Sequence, residues 1–242
     1  MNGNEDEFYV GYDETTPPGM RRMVLAAVVT SAVAALVVAA LFVRSERPLA
    51  NSRFEYGTTH EIAGYLRRWP VPTLTVRDEG GWRNVWLVSQ GKFGAERTVG
   101  SLPDGWVRLR GSVIEREPWE MLEVVAGSVR PQREVTDTPP VAPAPGRHVA
   151  ARGEVVDSKC YLGVMNPGER TVHRDCAVRC LAGGVPPMFA FREDGGEMQL
   201  ALVVDGGAVA TADRLRGLVG RPVELTGTLI GEADRLVFVL DR

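Results

Sequence analysis

From Met23 to Val43 the chain reads MVLAAVVTSAVAALVVAALFV, 21 residues without a charge and without a polar stripe. As a helix this run spans about 31 Å at roughly 1.5 Å per residue, the thickness of a hydrocarbon core. It predicts a single membrane span. A cleavable signal peptide is the competing reading, because Arg21 and Arg22 precede the run and Ala39-Ala40 resembles a cleavage site. The apolar stretch is longer than an ordinary signal core, however, and about 20 residues precede it. Arg21 and Arg22 lie at one end while Arg44, Arg47 and Arg53 follow the other, so positive charge does not decide orientation. A short tail before the span and a large mass after it favour an extracytoplasmic C-terminal region.

After the span the hydrophobic period changes to two, the mark of half-buried strands. One set of alternating runs starts at His60 (HEIAGYLRRWPVPTLTVRD, WRNVWLVSQGKFG, GWVRLRGSVIEREPWEMLEVV). A second starts at His148 (HVAARGEVV, MFAFRED, GEMQLALVVDGG, GRPVELTGTLIGEADRLVFVL). Both end in a long strand broken by a mid-strand glycine, Gly111 or Gly227, which predicts a bend or close approach in a small closed sheet. A short helix is expected over Thr211 to Leu218. Three strands, a helix and two strands resemble a five-stranded OB-type barrel. The expected fold class is therefore mainly β: an N-terminal transmembrane helix followed by two small OB-like β-barrel domains, the second with a helical Cys/His insert.

The boundaries follow from composition. Residues 1–22 form a tail that starts acidic and carries Phe8, Tyr9 and Tyr12, read as a solvated arm or a docking segment for a membrane partner. The span occupies 23–43 and the first barrel 53–130. Residues 131–147 hold five prolines and read as an extended spacer. The second barrel covers 148–242, with the insert at 158–187.

That insert concentrates the candidate chemistry. It contains all three cysteines, Cys160, Cys176 and Cys180, and one of three histidines, His173. On a helix His173, Cys176 and Cys180 share one face, and Gly183, Gly184, Pro186 and Pro187 end that helix. Cys160 arrives from the other side of the loop, with Asp157 and Lys159 expected to orient it. A Cys3His set suits a closed zinc site. Copper(I) and an iron–sulfur cluster rank behind zinc, and the spacing matches no iron–sulfur signature. Two alternatives stand beside the metal. Cys160 paired with Cys176 or Cys180 would staple the loop, or Arg174, Arg179 and His173 would activate a thiol for exchange or copper transfer. His60 and His148 begin equivalent strands and read as structural. The first barrel, which lacks thiols, reads as a spacer or docking module.

Charge narrows the partners. A net charge of −3 and a pI near 5.7 leave no basic patch for nucleic acid. Trp69, Trp82, Trp86, Trp106 and Trp119 therefore read as barrel core or interface anchors rather than a base-stacking platform. There is no HExxH, no phosphate-binding glycine loop and no nucleophile–base constellation, so a non-enzymatic role is expected.

The segment DSKCYLGVM…HRDCAVRC, behind one membrane span, resembles bacterial single-span envelope proteins of unassigned activity. The resemblance implies a bacterial cytoplasmic-membrane setting. Together these readings give a membrane-anchored extracytoplasmic protein with a Cys3His metal or redox site. It would serve as an accessory subunit of a membrane redox complex, meeting other subunits through the tail, the span or the first barrel.

Overall fold

A computed structural model describes residues 18–45, 51–132, 135, 138–139, 145–193, 196–232 and 235–241. The aromatic tail before Pro18 and most of the proline-rich spacer lie outside those residues.

Helix α1 (Pro18–Ser45) contains the expected apolar run and extends it at both ends. Pro18 opens it, where a missing backbone N–H costs nothing. It buries no residue, and it is long and apolar enough to cross a membrane. The helix belongs to one compact unit, Met1–Pro48, and the remainder, Leu49–Arg242, forms a second.

In the second unit the strands are β1 (Ser52–Phe54), β2 (His60–Arg67), β3 (Thr73–Asp78), β4 (Gly81–Ser89), β5 (Phe93–Gly94), β6 (Gly105–Arg116), β7 (Trp119–Val124) and β8 (Arg130–Pro131). They continue with β9 (Arg147–Asp157), β10 (Pro187–Arg192), β11 (Met198–Asp205), β12 (Ala208–Val209), β13 (Pro222–Glu232) and β14 (Arg235–Leu240). Three further helices are α2 (Glu96–Val99), α3 (Arg174–Ala182) and α4 (Ala212–Leu215).

Each half closes into a five-stranded ring. In the first, β2 pairs β3, β3 pairs β4, β4 runs parallel to β7, and β7 pairs β6, which returns to β2. In the second, β9, β10, β11, β14 and β13 repeat that order, with β11 parallel to β14. The two mid-strand glycines sit at tight crossings. A Cβ on Gly111 would lie 2.7 Å from the Glu123 carbonyl oxygen, and one on Gly227 would lie 2.2 Å from that of Val239. Only a residue without a Cβ lets the strands approach so closely.

Alternation along the strands fills each ring. Leu66, Leu74, Leu87, Leu109 and Leu122 pack inside the first. Phe189 stacks on Phe191 with centroids 5.0 Å apart, and Phe238 meets Phe189 edge-on inside the second. A third apolar cluster lies between the rings, where Trp86, Val88, Ile114 and Met121 of the first meet Tyr161, Leu162, Met188 and Leu202 of the second. At about 1.5–3 kcal/mol per fully buried large apolar side chain, this shared cluster contributes to holding the two barrels together. Arg235 Nη1 adds a buried hydrogen bond across the seam to Thr73 Oγ1, 2.9 Å away.

The tryptophans divide accordingly. Trp86 is buried in the seam with Trp119 packed against it, Trp82 and Trp106 lie half-buried 6.2 Å apart, and Trp69 is exposed.

Candidate metal centre at the barrel seam

The cysteine insert leaves the end of β9, where Val155 and Val156, just before its last residue Asp157, are buried in the second barrel and the seam. The chain then makes one wide helical turn (Cys160–Val164), a short 3-10 turn (Thr171–His173) and helix α3. Helix α3 stops at Gly183, as the punctuation predicts, but it starts after His173, which lies in the preceding turn and not on the helix as expected. Positions 176 and 180 fall one turn apart on its inner face.

The three cysteine sulfurs converge to within 4.8 Å of one another, from the turn and from the helix. Cys160 and Cys180 are buried, Cys176 is half-buried, and all three are free. The four ligands expected from the sequence do not form one group. His173 belongs to a second group with Asp157 and Cys160, so Cys160 is the member common to both. His173 Nε2 lies 2.9 Å from Asp157 Oδ2, and both side chains are buried. The other oxygen of Asp157 accepts the backbone N–H of Cys160 at 2.9 Å. One carboxylate at the end of β9 therefore fixes the start of the turn and the start of α3. His60 and His148 pair with Glu55 and Asp241 at the surface, as structural residues.

The first barrel is not a bare spacer. Lys92, in the turn before β5, places Nζ 2.7 Å from Cys176 Sγ and 3.8 Å from Cys180 Sγ. The turn reaches the helix because Gly94 N–H donates to the Gly183 carbonyl at 3.0 Å. A Cβ on Gly183 would sit 1.7 Å from the Lys92 carbonyl oxygen, so the residue that ends α3 also admits the turn. In the opposite direction Lys159 of the insert donates to the carbonyls of Ser89 and Gly91 at 2.8 and 2.7 Å and pairs with Glu123. Among 28 basic residues only these two are lysines, and both sit at this seam. Local pattern does not mark Lys92, and the scarcity of lysine is the only feature of the sequence that sets it apart.

The electrostatics follow from the contacts. The hydrogen bond to Cys180, reinforced by burial and the Asp157 charge, pushes the Cys160 thiol far up. The same bond pulls Cys180 down, helped by Lys92 and opposed by burial. The Lys92 ammonium is raised by its bond to Cys176. The Cys160 thiol is thus held protonated as the S–H donor to Cys180, with the Lys92 ammonium over Cys176 and Cys180. Three soft donors at a mostly buried position, with a lysine offsetting part of their charge, could hold a metal ion.

No family model, curated protein or solved structure matches the chain.

Proposed function

We propose that this protein is a membrane-tethered metal-binding module in which Cys160, Cys176 and Cys180 hold one soft cation, zinc or copper(I), at the seam of two barrels. The observation that carries the reading is the convergence of all three sulfurs within 4.8 Å. Sulfur donors select soft ions, and three thiolates leave either a trigonal site or a fourth position for an external ligand. His173 supports this set as a positioning residue, since its Nε2 is engaged by Asp157. Half-burial of Cys176 leaves one edge of the site open for loading and release.

Several finer features belong to the same proposal. Helix α1 serves as an uncleaved span that keeps the barrels at the outer face of a bacterial cytoplasmic membrane. The barrels are of OB type, supported by the ring order and by the short helices α2 and α4 ahead of the fourth strand of each ring. A tethered metal module of this kind suits an accessory role in a membrane redox complex.

The test is elemental analysis with thiol counting on the full chain, purified in detergent under reducing conditions. About one zinc or copper per chain with three thiols protected from alkylation is expected. Metal-free protein with freely alkylated thiols would refute the site.

A further inference from the structure

Lys92 is closer to Cys176 than an ordinary hydrogen bond places a nitrogen beside sulfur. Bonds from N–H to oxygen run to about 2.7–3.2 Å, and sulfur is the larger acceptor. At 2.7 Å the Nζ–Sγ separation leaves room for one bridging atom rather than a relaxed contact. We propose that Lys92 and Cys176 form a covalent N–O–S bridge when the protein meets dioxygen, linking the two barrels and withdrawing Cys176 from metal. The bridge itself needs only the observed geometry; its effect on metal rests on the trithiolate reading above.

Three observations support it. The approach is built in: the Gly94–Gly183 hydrogen bond and the bare Gly183 Cα hold the Lys92 turn against α3. The pair is reachable, because Lys92 is exposed and Cys176 half-buried, while Cys160 and Cys180 are enclosed. The residue type is also discriminating. A guanidinium would serve equally as a counter-charge, and the chain uses arginine almost everywhere else. Lysine differs in that its single amine nitrogen can form an N–O bond, whereas the delocalised guanidinium is not a nucleophile.

The chemistry balances with one dioxygen. The ammonium–thiolate pair contains the same atoms as amine plus thiol, so no external proton is required. One N–H, the S–H and the O–O bond break. An N–O and an O–S bond form, and the second oxygen leaves as water with the two hydrogens. Nitrogen and sulfur supply the electrons that reduce the dioxygen. A thiol reductant releases the link by attack on sulfur: the S–O bond breaks, the oxygen leaves with nitrogen as a hydroxylamine, and a second thiol frees Cys176 from the resulting mixed disulfide.

The experiment uses the full chain in detergent, first assayed for metal under reduction, then stripped with chelator, reduced, exposed to air and digested with trypsin for mass mapping. The expected product joins the Lys92 and Cys176 peptides with one oxygen gained and two hydrogens lost. Trypsin does not cut after Lys92 in it, and dithiothreitol releases it. Lys92→Arg and Cys176→Ser should each abolish it. A Cys176–Cys180 disulfide, a sulfinic acid or an oxygen-free link, with no oxygen-bearing bridge, would overturn the proposal. Metal without the bridge removes this inference and leaves the metal site. The bridge in a chain that never binds metal removes the metal reading and leaves the bridge.

Discussion

Lys159 and Glu123 form an ion pair whose two ends come from different barrels, and both ends are shielded from solvent, with side-chain exposures of 4% and 14%. Lys159 also satisfies the Ser89 and Gly91 carbonyls, so its ammonium has a partner for each of its donors. Burying such a pair costs much of what the attraction returns, but breaking it strands a charge.

Lys159→Met is therefore expected to lower stability by about 3–5 kcal/mol, because Glu123 is left buried and unpaired. Pairing the change with Glu123→Leu should recover much of that loss. Denaturant midpoints of the single and double variants check this; equal losses in both would show that the pair itself is not responsible.

At the end of α3, Gly183→Ala should push the Lys92 turn away, since no side-chain movement relieves a 1.7 Å approach to a backbone oxygen. Overpacking of this kind costs about 1–3 kcal/mol. The alkylation rate of Cys176 should fall as the Lys92 ammonium, which favours the nucleophilic thiolate, withdraws. Unchanged alkylation would mean that the turn docks independently of Gly183.

Asp157 anchors both ends of the thiol loop, through the Cys160 N–H and the His173 ring. Asp157→Ala leaves a buried donor without a partner, at a cost of about 1–3 kcal/mol. It should weaken metal retention although no metal ligand is removed. His173→Gln, with a side-chain amide donor in place of the ring N–H, is expected to keep the metal. Loss of metal in His173→Gln with retention in Asp157→Ala would reverse these roles.

Glu120 supplies a pH signature away from the thiols. Burial raises its carboxyl above the ordinary 4.5, against the attraction of Arg83. The folded chain then holds this proton to a higher pH than the unfolded chain does. Its contribution is fully present below 4.5 and is lost as pH rises through the raised folded value. Glu120→Gln removes that slope, so its stability relative to the parent should increase as pH goes from about 4 to 7. Denaturant titrations at the two pH values measure it; a difference that does not move with pH would exclude Glu120 as the source.

Much of the fold was legible in residue patterns. The uncharged run at 23–43 fixed a helix because nothing in it favours any other burial. The two-residue period and the mid-strand Gly111 and Gly227 located the long strands of both rings. The helix carrying Cys176 and Cys180 was bounded by Gly183 and the prolines after it. Two things were not legible. His173 shares a helical face with Cys176 in projection, yet the chain turns at 171–173, and Asp157, 16 residues earlier, takes its ring. Lys92 lies 84 residues from Cys176, and no local period reports a contact made by two barrels sharing a core. The scarcity of lysine was visible but carried no position until the seam was known.

The central claim is that three sulfurs, and not an imidazole, hold the metal. X-ray absorption at the metal edge of the reduced full chain tests it most directly. Three sulfur scatterers at about 2.3 Å with no imidazole multiple scattering are the expected spectrum. A shell containing a histidine nitrogen at about 2.0 Å, or fewer than three sulfurs, would contradict the account.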